Sequence, residues 1–339
     1  MESDPSHHQP DALSLGFEAT IANQNSKMIG VNGVLIIDKP AGITSHDVVA
    51  RVRNILRVKR VGHTGTLDPF ATGVLVILVG RATRLAQFLS GAEKEYAGVI
   101  RLGYATNTGD ATGTRIETRM RATAANLSLE EIETAMSSLR GEIEQTPPMF
   151  SARKVGGEKL YELARRGKEV ERKPARVQIF QFHAVSANDS LTVNDDETCD
   201  IAVHVVCSAG TYVRVLAEDL GHRLGLGAHL CELRRTRAGH FRVEQALLPE
   251  QLAELSDSDL LAQVLISPDT ALSHLPSIDL SSDDVPRVVH GINLQIDGAG
   301  SNWKGNENVR MRDPNGDLIA IGAYDVEGNY LHPRVVIAN

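Results

Sequence analysis

The chain has 339 residues, 42% hydrophobic and 23% charged, a make-up that fits a folded protein of more than one domain and excludes a low-complexity chain. Its longest apolar run, from Gly73 to Val79, is far short of the roughly 20 helical residues that cross a bilayer. The net charge of −8 argues against nucleic-acid binding only until its distribution is read: from Glu250 onward there are 14 acidic and 5 basic side chains, so the rest is close to neutral.

Residues 1–32 carry Glu2, Asp4, Pro5, His7 and His8, with neither a basic n-region nor a continuous apolar h-region. They read as a flexible extension without an export signal, which makes the chain cytoplasmic. Gly33 to Lys39 reads as a strand ended by Pro40, and Thr44 or Ser45 caps a helix whose Val48, Val49, Val52, Ile55 and Leu56 repeat at helical spacing. A basic run, Arg51, Arg53, Arg57, Lys59 and Arg60, leads into Gly62 to Gly73, a loop of three glycines, three threonines, His63 and Asp68. Pro69 restricts Asp68 to an extended conformation and stiffens the loop around it. An Asp-Pro pair usually does no more than start a turn. A carboxylate on a rigid loop is also how a nucleophile is held. A strand over Val74 to Val79 follows.

Ala82 to Leu89 reads as a short helix and Glu95 to Tyr104 as a strand, with Tyr96 at its start, where an isolated tyrosine is ordinarily packing. Ala105 to Gly113 is polar and turn-rich, as expected of a mobile cleft rim. Ser128 and Glu131 form a capping box for a helix to about Leu139. A second basic group runs from Arg153 to Arg176 and includes a helix with Leu160, Leu163 and Ala164 on one side and Lys159, Arg165 and Arg166 on the other. Strands are expected at Val177 to Val185 and Cys199 to Cys207, then a helix whose first turn carries Tyr212 and Arg214. A further strand, Ala228 to Arg237, contains Leu233 and most of a third basic group, Arg234, Arg235, Arg237 and Arg242. Basic runs are usually solvated faces, but three around one loop favour a phosphate-binding surface. Cys199, Cys207 and Cys231 lack metal-site spacing and read as small buried hydrophobes. An amphipathic helix is expected from Glu250 to Leu265. Short strands follow at Pro286 to Val289, Val309 to Arg312, Leu318 to Ala323 and Val335 to Ile337, with a hairpin turn at Asp313 to Asp317.

The string GHTGTLDPFATGVL resembles the catalytic motif of the TruB family of tRNA pseudouridine synthases. DKPAGITSHDVV, QTPPMFSARKVGGEKLYELARRG and CSAGTYVR resemble further segments of that family. The resemblance implies an α+β fold over residues 33–250, a mixed, mostly antiparallel sheet with flanking helices. A linking helix region over 251–275 and a small β-rich PUA-like module over 276–339 would follow. It implies isomerisation of uridine 55 to pseudouridine in the tRNA T-loop by base flipping. In that scheme Asp68 is the nucleophile, Tyr96 stacks on the flipped base, and Arg214 pairs with Asp68. Tyr212 and Leu233 line the base pocket, His63 takes the space the base leaves, and Lys39, Pro40 and Gly42 are structural. Lys59, Arg60, Arg153, Lys154, Arg165 and Arg166 would meet the RNA backbone. The expected partner is the T arm and loop of tRNA, with no cofactor, metal, membrane or protein partner, and the chain acting as a monomer. Competing readings are a guide-RNA-dependent pseudouridine synthase, against which the acidic C-terminus speaks, a tRNA-folding chaperone without catalysis, and a hydrolase using Asp68, for which no water-activating base is found.

Overall fold

In the computed structural model, which describes residues 31–116, 124, 127–185, 191–255, 258–296 and 303–338, one large mixed sheet organises the chain. The extension expected over residues 1–32 lies, but for its last two residues, outside the described residues. The sheet's main strands are β1 (Gly33–Lys39), β2 (Val61–His63), β3 (Thr72–Val79), β4 (Lys94–Leu102), β5 (Gly141–Gln145), β6 (Ala175–Ala184), β7 (Cys199–Cys207) and β8 (Ala228–Ala238). They lie in the order β1-β3-β8-β4-β7-β6-β5, with β2 added on β3. Every one of these pairings is antiparallel except β3 with β8, which run parallel through Thr72 and Gly73 opposite Arg234 and Arg235.

Successive strand residues face opposite sides, so the apolar run of β3 serves two cores at once. Leu75, Ile77 and Val79 meet Leu35, Ile37 and helix α1 (Ser45–Leu56), whose Val48, Val49, Val52 and Leu56 fill one side. Val74, Val76 and Leu78 meet Val34 and Ile36 on the other, together with Leu318, Ile321 and Ile337 from the C-terminal module. The remaining half of the sheet packs on helix α2 (Leu129–Ser137) and, past the short α3 (Leu160–Arg165), on α4 (Val213–Arg223), through Ile132, Met136, Leu216, Ala217 and Leu220. Cys199 and Cys207 belong to that core. Thr44 with Asp47, and Ser128 with Glu131, close both halves of their capping boxes.

Two expectations fail in the C-terminal part. The helix read across Glu250 to Leu265 is two, α5 (Pro249–Glu254) and α6 (Ser258–Val264), and α5 ends at Leu255, whose backbone leaves the helical region at φ −84°, ψ 13°. Pro286 to Val289 is not a strand but part of helix α7 (Asp284–Val289). Ser281 Oγ accepts from the Asp284 N–H at 3.2 Å and starts that turn, and Pro286 needs no donor so early in a helix. The module's sheet, β9 (Ser277–Asp279), β10 (Leu294–Gln295), β11 (Asn308–Arg312), β12 (Leu318–Asp325) and β13 (Tyr330–Val336), has the order β9-β11-β12-β13-β10 and the expected turn after β11.

Candidate active site

The loop between β2 and β3 is fixed from several sides. Gly73 has φ +100°, and a Cβ there would stand 2.2 Å from the Arg235 carbonyl oxygen, so only glycine lets β3 and β8 meet in parallel at this point. Ser45 Oγ accepts from the Leu67 N–H at 2.9 Å and donates to the Leu67 carbonyl at 3.1 Å. Pro69 O accepts from the Gly42 N–H at 2.8 Å and from Lys39 Nζ at 3.2 Å. Lys39 is fully buried and also donates to the carbonyls of Pro40 and Ile43, each at 2.8 Å. Its ammonium is pushed down to about 8 by that burial. These contacts hold Asp68 from below.

From above it is held by charge. Arg214 Nε donates to Asp68 Oδ2 at 2.7 Å and Nη2 to Oδ1 at 3.1 Å, a two-point grip. The same guanidinium donates to the carbonyls of Thr108 at 2.7 Å and Phe150 at 2.8 Å, and Asp110 Oδ2 lies 3.9 Å from Nε. The Arg214 side chain is 3% exposed and that of Asp68 32%, so the cation is sealed in while the carboxylate faces outward. Arg214 sits in the first turn of α4, where Gln145 on β5 clamps the Tyr212 backbone, accepting from its N–H at 2.9 Å and donating to its carbonyl at 3.3 Å. The segment Ala105 to Gly113 borders the neighbouring cavity and is anchored from within: Thr106 and Asp110 are buried, and Asp110 Oδ1 accepts from Thr108 Oγ1, the Thr112 N–H and Thr112 Oγ1.

Asp68 borders a cavity of about 290 Å³ that Tyr96, Tyr212, Arg214 and Leu233 also line. Tyr96 lies opposite Arg235 across β4 and β8, and Leu233 opposite Gly98, which places phenol and isobutyl side by side, each 8% exposed. Burial pushes the Tyr96 phenol up. Five of the expected site residues therefore converge, although they come from four separate stretches. His63 does not line this cavity. Its imidazole is pushed down to about 4, first by burial and then by His46 and Arg235, and its ring meets that of His46 edge-on at 5.5 Å.

The basic groups divide. Arg153 lines the same cavity, and Lys159 and Arg165 border a neighbouring one of about 560 Å³ that shares Asp68 and Arg214. There Lys159 Nζ and Arg165 Cζ stand 5.4 and 5.5 Å from the centre of the Tyr161 ring. Lys154 is exposed on the small hairpin before α3, and Arg166 is paired with Glu158. Lys59 and Arg60 are exposed before β2 and line neither cavity. Of the third group, three arginines are engaged by the protein itself, while Arg242 is exposed. Arg234 pairs with Asp38 at 2.6 Å, Arg237 with Glu95 at 2.9 Å, and Arg235, 2% exposed, donates to the carbonyls of Val74 and Gly65. Arg234 and Arg235 are neighbours on β8 and face opposite sides, which leaves the Arg234 side chain 42% exposed beside Asp38 and buries Arg235. Lys94, two residues before Tyr96 on the same strand face, was missed for lack of any sequence pattern. Among the described residues no cluster of His, Cys, Asp or Glu could hold a metal.

On this sheet a carboxylate gripped by a buried arginine borders an aromatic-lined cavity, a site shaped for a planar ligand. Two family descriptions match the chain, TruB family pseudouridylate synthase (N terminal domain) over residues 53–213 and tRNA pseudouridylate synthase B C-terminal domain over residues 214–273. The chain is 44% identical over 266 residues to tRNA pseudouridine synthase B of Geobacillus thermodenitrificans, covering 78% of this chain and 86% of that one. It is 39% identical over 307 residues to the same-named protein of Solibacter usitatus, covering 91% and 100%. Among solved structures, an H/ACA RNP bound to a substrate RNA containing 2′-deoxyuridine aligns with TM-score 0.67 and 25% identity over 91% of this chain and 85% of that one. The archaeal box H/ACA sRNP Nop10–Cbf5 complex aligns with TM-score 0.65 and 26% identity over 90% and 86%. The chain belongs to the TruB family of pseudouridine synthases, and it is an isomerase.

Proposed function

We propose that the chain converts uridine 55 of the tRNA T-loop to pseudouridine, with Asp68 as nucleophile and residues 33–250 as the catalytic unit. The observation that carries this reading is the two-point grip of Arg214 on an outward-facing Asp68 at the edge of the cavity containing Tyr96 and Leu233. A uridine in a folded loop hides its reacting atoms, so it must be extruded against stacking at a cost of about a few kcal/mol. Tyr96 and Tyr212 offer replacement stacking, worth about 1–3 kcal/mol per base. Arg153, Lys159 and Arg165 offer cations for the backbone around the opening.

Asp68 then bonds to the nucleoside at C1′ or C6, the uracil detaches, turns and rejoins through C5. Substrate and product are isomers, so the atoms balance without a co-reactant. Arg214 keeps the carboxylate aimed and returns it to the same position when the adduct resolves. His63, with its imidazole neutral, takes the space the base leaves. The homologues named tRNA pseudouridine synthase B support tRNA as the substrate. The guide-dependent alternative draws on the H/ACA structures, and the C-terminal module disfavours it: Arg287, Arg310 and Arg312 are all paired with aspartates.

The test is conversion of an unmodified tRNA transcript by the purified chain, with no guide RNA, mapped to the nucleotide. We expect full conversion at the T-loop uridine, and for Asp68→Asn a rate at least about 1000-fold lower with tRNA affinity within a few-fold. Conversion that requires a guide, or an Asp68→Asn variant working near the normal rate, overturns the reading.

A further inference from the structure

The cavity beside Asp68 contains two buried cations that no carboxylate among the described residues pairs with. Lys94 is 6% exposed and Arg235 2%, and both line the cavity. Lys94 Nζ donates to the carbonyls of Ser90 and Ala92, and Arg235 to those of Val74 and Gly65. Among the described residues neither makes an ion pair, whereas the adjacent Glu93 and Glu95 are engaged by Arg237, and Glu95 by His204 as well. Buried charges are ordinarily paired, and two of like sign side by side are doubly unfavourable, so a cavity built this way is suited to a negative group arriving with the ligand. Both cations lie beside the loop that carries Asp68: Arg235 Nη1 and Lys94 Cε stand 3.6 and 3.9 Å from where a Cβ on Gly65 would be.

We propose that Lys94, backed by Arg235, stabilises the negative charge of the detached uracil by donating to one of its carbonyl oxygens. This rests on the reaction proposed above. An Asp68 oxygen bonds to C1′ as the C1′–N1 bond breaks, and the electron pair leaves on the ring, spread over N1, O2 and O4. After the ring turns, C5 bonds to C1′ and the C1′–oxygen bond to Asp68 breaks, returning the carboxylate. The proton lost from C5 is matched by one gained at N1. Attack at C6 instead pushes the C5–C6 π pair onto O4, so both routes place negative charge on a carbonyl oxygen of the uracil. Tyr96, on the Lys94 side of the strand and two residues along, would hold the plane of the ring while its edge reaches the ammonium.

Lys94 is faced by Arg235 from β8, by Cys207 from β7, whose thiol burial pushes up to about 11, and by Tyr96 and Asp68 around the cavity. Its ammonium is pushed down to about 8 by burial and by Arg235. It is therefore charged at neutral pH and loses its proton as pH rises through that value.

The experiment measures single-turnover conversion of an unmodified tRNA transcript, tRNA affinity and thermal unfolding for the full chain, Lys94→Met and Lys94→Arg. Removal of one donor of an oxyanion site lowers a rate about 100-fold or more, and that is expected for Lys94→Met, with tRNA affinity within about threefold. Lys94→Arg should keep the rate within about tenfold, since its cation persists above pH 12 or so. The wild-type rate should fall as pH rises through about 8, and the Lys94→Arg rate should stay level to about pH 9. A wild-type rate that does not fall there overturns the proposal even if Lys94→Met does not fold. So does a Lys94→Met defect confined to affinity, with the salt dependence shallower by about one phosphate contact. A wild-type chain that converts no uridine sinks the reaction itself, which is read separately from the variants.

Discussion

Replacing Arg214 by lysine keeps the charge and removes the fork. Arg214 makes two bonds to Asp68 and one each to the carbonyls of Thr108 and Phe150. A lysine reaches at most part of that set, so two charge-assisted bonds of about 1.5–3 kcal/mol each are lost. The Asp68 side chain is 32% exposed, and water takes over its freed oxygen, which brings the expected loss to about 3 kcal/mol. At about 2–4 °C per kcal/mol for a domain of this size, the melting temperature falls by roughly 6–12 °C. The rate suffers more, because a carboxylate displaced by about 1 Å loses about 100-fold in reactivity. Tritium release from a tRNA transcript labelled at uridine C5, under single turnover, measures the rate, and filter binding measures affinity. A rate within threefold of wild type, with unfolding shifted as expected, would show that Arg214 supports the fold without aiming Asp68.

Gly73→Ala places a methyl group against the Arg235 carbonyl at a backbone angle that alanine avoids, and should destabilise by about 2–4 kcal/mol in urea unfolding. A change below about 0.5 kcal/mol would mean that β3 and β8 part at no cost. His63 titrates near 4 when folded and at 6.5 in the unfolded chain, so the unfolded state binds more protons between those values. Stability is lost as pH falls from about 6.5 to about 4, by about 2 kcal/mol at pH 5. His63→Gln should flatten that limb of the urea midpoint against pH, and an unchanged limb would assign it to other groups.

Much of the chain was legible as letters. The capping boxes at Thr44 and Ser128, the turn at Asp313 to Asp317 and the apolar period of α1 and α4 are relations between residues a few positions apart, and each forms as expected. The errors arose where a local preference was overruled or split. Val288 and Val289 have strand chemistry, yet the hydrogen bond at Ser281 and the burial of Val288 make that segment helical. The arginines after Leu233 read as one basic run, but a strand sends neighbours to opposite faces: Arg235 is buried against the Val74 carbonyl, while Arg234 and Arg237 pair with Asp38 and Glu95.

The sequence by itself determined the stiff loop around Asp68, the apolar strand behind it and the family signature that runs through both. The resemblance already paired Arg214, 146 residues away, with that carboxylate; only the tertiary structure decided the two-point geometry of the grip, and that Lys94 and Arg235 share its cavity with no ion-pair partner among the described residues. Turns and periodicity depend on bonds between near neighbours, whereas the charge around a reacting group depends on which distant strands the sheet brings together.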